Sequence, residues 1–153
     1  MSSFSRSRLK EQEKDGYDRK RNTRQERAVK EDLPRILLSF KDFDPNQIPP
    51  GQSFSEWEAN KTLSALYEKF RHVCELNIVE AKQQQVIKVY GAFPDKSDFK
   101  PPTYLQDDDI QWAVITNIKG QKGRLAGHMI GNVFYVVFLD QEHRFFISTK
   151  KGT

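Results

Sequence analysis

Apolar residues along this chain recur with different periods in different stretches, and those periods predict its elements. Residues 35–43 place Ile36, Leu38 and Phe40 on one face at a spacing of two, which predicts a strand. Pro45, Pro49, Pro50 and Gly51 then punctuate a loop. Ser53-Phe-Ser-Glu56 is a capping box, in which the serine hydroxyl and the glutamate carboxylate satisfy each other's orphan amides. Leu63, Leu66, Tyr67, Phe70, Val73 and Cys74 follow at helical spacing. Asn77-Ile-Val-Glu80 reads as a second capping box and splits the region into two helices, the second fading around residues 83–86. Gly91, Pro94, Pro101, Pro102 and the acidic run at 107–109 predict a loop over residues 88–108.

The end of the chain alternates again. Residues 110–118 predict a strand, 119–123 a turn, and 124–130 and 133–140 two strands around Gly131-Asn132, a two-residue hairpin signal. Residues 143–148 predict one strand more. The expectation is an α+β domain ordered β-α-α-β-β-β(-β). It is an antiparallel sheet of four or five strands with two helices packed on one face.

Taking Gly131-Asn132 as the loop fixes a register. Ile130 faces Val133, Met129 faces Phe134, His128 faces Tyr135, Leu125 faces Phe138 and Arg124 faces Leu139. One sheet face then carries Leu125, Gly127, Met129, Phe134, Val136 and Phe138, and the helices are expected to cover it. The other carries Arg124, His128 and Tyr135 among apolar residues and is expected to stay open. A tight turn at Gln141-Glu142 pairs Arg144 with Leu139. That sets Arg124 and Arg144 about 10 Å apart, two strand spacings.

Charge adds an asymmetry. Residues 1–30 hold 10 Lys or Arg against 5 Asp or Glu, while the rest of the chain holds 15 against 16. Large apolar residues are sparse before residue 30, so residues 1–32 are read as a flexible basic arm, 33–149 as the domain and 150–153 as a tail. Arg19, Lys20, Arg21 and Arg24 in the arm, with Lys119 and Lys122 in the turn, are candidate nucleic-acid contacts. A mixed-charge solubilising tail is an equally ordinary reading of the arm. Cys74 is the single cysteine, so no intrachain disulfide forms, and no apolar run is long enough to span a membrane. These features point to a cytoplasmic protein with no membrane partner.

Metal-independent cleavage of RNA needs a base for the 2′-hydroxyl, a cation for the phosphorane and an acid for the leaving oxygen. His128 and Tyr135 are candidates for proton transfer, and Arg124 and Arg144 for holding phosphate. A strand histidine beside a tyrosine is more commonly a hydrogen-bonded pair, and strand arginines often only solubilise a face. No metal site is expected. His128 lies roughly 17 Å along a strand from the turn holding Asp140 and His143, beyond shared coordination. His72 and Cys74 diverge on a helix, and the acidic run at 107–109 is a solvated loop. No Gly-rich phosphate loop or nucleophile elbow occurs, so no cofactor is expected.

The strand-helix-helix-strands order, with Gly123-Arg124 opening a strand and Phe134-Tyr-Val-Val-Phe138 following the turn, resembles the RelE/ParE toxin superfamily. That resemblance implies a toxin acting on ribosome-bound mRNA or on gyrase and silenced by a cognate antitoxin. It would make Arg124 the phosphate-binding arginine, with Lys119 and Lys122 in the preceding basic segment. The chain departs from the family in its extra basic arm and in carrying His128 inside a strand. Residues 35–148 are more similar still to a group of bacterial proteins ending G-[HF]-x-I-x-[ND]-x-F-Y-[IV]-V-[FW]-L-D-x-x-H, a resemblance that brings no mechanism. The leading expectation is therefore a metal-independent endoribonuclease acting on RNA or the ribosome. Its rivals are a non-catalytic nucleic-acid-binding module and an inhibitor that works through protein contacts.

Overall fold

The computed structural model describes residues 33–148, and the expectations for the arm and the tail lie outside them. Residues 35–148 pack as one compact unit. Its elements are β1 (Leu37–Ser39), α1 (Phe54–Ala59), α2 (Thr62–Val73), α3 (Ile78–Gln83), β2 (Ile87–Gly91), β3 (Gln111–Ile115), β4 (Arg124–Ile130) and β5 (Val133–Asp140). The five strands form one sheet in the order β1-β5-β4-β3-β2. An α+β domain with its helices on one sheet face is what the sequence predicts, and the structure has it.

Both capping boxes form. Ser53 Oγ accepts from Glu56 N while Glu56 returns to Ser53 N, and Asn77 and Glu80 do the same at α3. The helical region makes three helices rather than two. Lys61 turns left-handed at φ 65°, and the Asn60 side chain takes the Thr62 N–H, so α1 ends before α2 begins. Trp57, Leu66, Val73 and Ala81 then bury against Ile87, Ile115, Leu125, Phe134 and Leu139 of the sheet.

Three strand expectations need correction. The sheet is mixed, because β1 runs parallel to β5, Leu37 pairing with Val133 and Ser39 with Tyr135. Residues 87–91 form a strand antiparallel to β3, because Ile87 and Val89 still alternate inward before Gly91 reaches a positive φ of 84°. Residues 143–148 do not form one. Asp140 captures the amides of Arg144 and Phe145, and Arg144 lends its carbonyl to Asp98 N, so Arg144 never pairs with Leu139.

The β4–β5 register holds near the turn and then slips. Ile130↔Val133, Met129↔Phe134 and His128↔Tyr135 are as expected, but Leu125 faces Leu139 and Arg124 faces Asp140. The break falls between Ala126 and Gly127, where β5 carries Val137 as an extra residue. A Cβ on Gly127 would lie 1.9 Å from the Tyr135 carbonyl oxygen, so only glycine lets the two backbones approach this closely.

The bulge turns Phe138 to the face opposite Phe134. There it joins Phe99, Leu105, Trp112, Val114 and Phe145 in a second core. Phe99 lies 4.3 Å from Phe138 between ring centroids, and Phe145 and Trp112 close the cluster. The face expected to be open is therefore covered over much of its length by the 92–110 loop and the residues after Asp140.

Candidate functional site

Covering that face decides the surroundings of each candidate residue. His128 sits mid-strand on β4 and is 3% exposed. Its ring stacks on Tyr135 of β5 at 4.8 Å and 8° between planes, and meets Trp112 of β3 edge-on at 6.1 Å. The chain just past β1 supplies its polar partner, Asp42, whose Oδ2 lies 2.8 Å from His128 Nε2. Tyr104 donates its hydroxyl to the Asp42 carbonyl, and Lys41 reaches both Asp42 Oδ1 and the Tyr135 ring. An imidazole enclosed this way, with Nε2 held by a carboxylate, is a brace between the 40–44 segment and the sheet.

Arg124 starts β4, four residues along the strand from His128 and thus roughly 13 Å away. Its Nε and Nη1 are sealed from solvent and make no hydrogen bond. Neighbouring Asp140 is fully buried, with Oδ1 accepting from Arg144 N and Oδ2 from Phe145 N, each at 2.8 Å. Burial raises the Asp140 carboxyl above its ordinary value. The two backbone N–H groups, and the charges of His143 and Arg124, pull it back down. Burial likewise raises the Tyr90 phenol, against the Arg124 charge. Arg124 thus acts electrostatically on the Asp140 carboxyl and the Tyr90 phenol, and the His143 imidazole acts on the same carboxyl.

Arg144 leaves the sheet, and its Nε donates to Asp98 Oδ2 at 2.7 Å in a half-exposed ion pair. Lys119 turns at φ 51° and donates through Nζ to the Asn60 carbonyl, while Lys122 is exposed. Arg19, Lys20, Arg21 and Arg24 lie outside the described residues. The structure brings His128 and Tyr135 together, and Arg124 and Arg144 join them at no common centre.

Sequence reasoning missed Asp42, Tyr90 and the polar role of His143. Asp42 lies near the end of the predicted strand, 86 residues before its partner, and only the parallel β1–β5 pairing brings it there. Tyr90 was hidden by the loop expectation. Asp140-x-x-His143 was visible, but weighed only as a metal motif. Among the described residues no group of three His, Cys, Asp or Glu is placed to hold a metal ion. No helix among them is long and apolar enough to cross a membrane.

Comparison of the chain with protein-family models, curated proteins and solved structures finds no match.

Proposed function

We propose that this is a toxin-type protein acting on RNA, and that Arg124 receives an RNA phosphate. One observation carries the reading. Of the four arginines among the described residues, Arg35, Arg71 and Arg144 each have a carboxylate partner, and Arg124 has none. Leaving a guanidinium charge unpaired is costly, and Nη2 is not among the sealed atoms of this half-buried residue, so a phosphodiester oxygen can reach it. Exposed Lys122 and neighbouring Lys119 supply further positive charge in the turn leading to β4. The resemblance to RelE/ParE toxins names the same arginine, and makes the ribosome and a cognate antitoxin the partners to test.

Binding is favoured over cleavage because two of the side chains expected to do the chemistry are already engaged. His128 Nε2 is committed to Asp42, and Arg144 to Asp98. The metal-independent endoribonuclease remains the second reading, carried by Tyr90 and His143 around Arg124 and Asp140.

The test is anisotropy of labelled single-stranded RNA at several salt concentrations, with wild type and Arg124→Ala. Removing an unpaired, partly buried cation should leave stability unchanged or raised, so lost binding is not lost folding. The variant should bind at least about tenfold more weakly, with a shallower salt dependence by about one counterion. RNA end mapping in EDTA, with and without ribosomes, then separates the two readings. New ends that vanish in Arg124→Ala and His143→Ala select cleavage. Equal affinity and equal growth arrest in wild type and Arg124→Ala would overturn the proposal.

A further inference from the structure

The loop covering the second core leaves a cleft of about 340 Å³ between Phe93, Leu105, Asp107, Asp108, Ile110 and Trp112. That is at the small end of the range for ligand sites, large enough for a nucleobase or nucleoside. Its apolar wall includes two aromatic rings, Phe93 and Trp112, set 5.0 Å apart and 88° to each other. Phe93 is half-buried and can take a planar ligand on its face, whereas Trp112, almost wholly covered, offers the cleft only an edge.

The polar groups are unusual in kind. Trp112 is 2% exposed, yet its indole N–H makes no hydrogen bond among the described residues. The other tryptophan is satisfied, Trp57 Nε1 donating to Gln52 Oε1 at 3.1 Å. Sealed side-chain atoms without partners occur only on Thr62 and Arg124 among the described residues. The Trp112 nitrogen therefore keeps access to solvent, and the cleft is the opening that this residue lines. Asp107 and Asp108 stand exposed at the rim, in no ion pair among the described residues. The site thus offers one donor and two carboxylate acceptors around an apolar slot.

We propose that this cleft binds a guanine base. Guanine presents two adjacent N–H donors, N1 and the N2 amino group, which suit one carboxylate bidentately, and acceptors at O6 and N7 for the indole N–H. Adenine and cytosine put a ring acceptor beside their amino group, and uracil flanks its N–H with two carbonyls, so each turns a lone pair toward a carboxylate. Aromatic walls with edge hydrogen bonds are how single-stranded bases are read by proteins. The base can come from a free nucleoside or from single-stranded RNA. The first source does not depend on the phosphate reading at Arg124.

The full chain is titrated calorimetrically with guanosine, inosine, adenosine, cytidine and uridine, and its indole N–H resonances are followed by NMR. Guanosine should bind saturably and shift the Trp112 resonance. Inosine, which lacks the N2 amino group, should bind about tenfold or more weakly, as should guanosine to Asp107→Asn or Asp108→Asn. Both variants change exposed loop side chains, and unchanged melting confirms that they fold. A short RNA with one guanine in a uridine run, set against all-uridine, reads the second source. Guanine-dependent RNA binding without guanosine binding assigns the site to RNA. Binding of both shows that the base suffices, and either result stands if Arg124→Ala leaves RNA affinity unchanged. Equal response to all five nucleosides, binding of ethylguanidinium in place of guanosine, or no guanine dependence in either source would overturn the proposal.

Discussion

Asp42 and His128 are 86 residues apart in the chain and 2.8 Å apart in space, their side chains 13% and 4% exposed. The contact joins the segment after β1 to the middle of the sheet, on the face where Trp112 and Tyr135 enclose the imidazole. A pair this enclosed is little screened by salt, and removing one member strands the other.

His128→Ala should therefore destabilise the protein by about 3 kcal/mol in urea denaturation, since it uncovers Asp42 and empties the space between two rings. Asp42→Asn should cost less, because an amide oxygen can still accept from the ring. A His128→Ala variant as stable as wild type would mean that the brace contributes nothing and that His128 is free for chemistry.

Phe134 and Phe138 belong to different cores. Each alanine substitution should cost about 3–5 kcal/mol, as for buried aromatics. Four residues of strand, roughly 13 Å, separate them. The double variant should therefore lose the sum within about 0.5 kcal/mol. Coupling well above that would place both rings in one core and remove the bulge at Val137. Tyr135→Ala, at a half-buried position, should cost less than either.

Gly127→Ala should be more damaging than Gly120→Ala. The first drives a methyl into the Tyr135 carbonyl, and β4 and β5 must separate to admit it. The second meets no atom within 4 Å, and costs only what a φ of 99° imposes on alanine. Thermal midpoints of the two variants check the order, and equal losses would contradict the close approach at Gly127.

The legible parts of this fold were those written in local chemistry. Ser53–Glu56 and Asn77–Glu80 are self-contained caps, and Gly131-Asn132 sets its own hairpin, so each could be read from adjacent residues. The bulge at Val137 could not. Val136, Val137 and Phe138 are all apolar, so alternation marks no slip, and the choice was made by Gly127 and by aromatic partners as distant as Phe99. The site was partly legible for the same reason. Arg124, His128 and Tyr135 were marked by residue type, but the carboxylates that claim His128 and Arg144 arrive through contacts spanning 86 and 46 residues.

Asp140 should leave a signature in the pH dependence of stability. Its carboxyl is raised by burial, so the folded state keeps this proton where the unfolded chain has already released it. The contribution is fully present below the unfolded value, near about pH 4, and is lost as pH rises through the folded one. The unfolding free energy of wild type relative to Asp140→Asn should accordingly fall as pH is raised from about 4. A difference that rises instead would show a carboxylate stabilised as the anion by Arg124 and His143.

The parallel seam between β1 and β5 sets the order of events at synthesis. Arg35 and Asn132, which meet at that seam, are 97 residues apart. At roughly 5–20 residues per second, the first strand leaves the ribosome about 5–20 seconds before its neighbour is made. Through that interval Ile36 and Leu38 have no strand to lie beside, and only the helices that follow can shelter them. The sheet can be completed only once the final hairpin has emerged, so for this chain the waiting strand, exposed and apolar, is the part most in need of a chaperone.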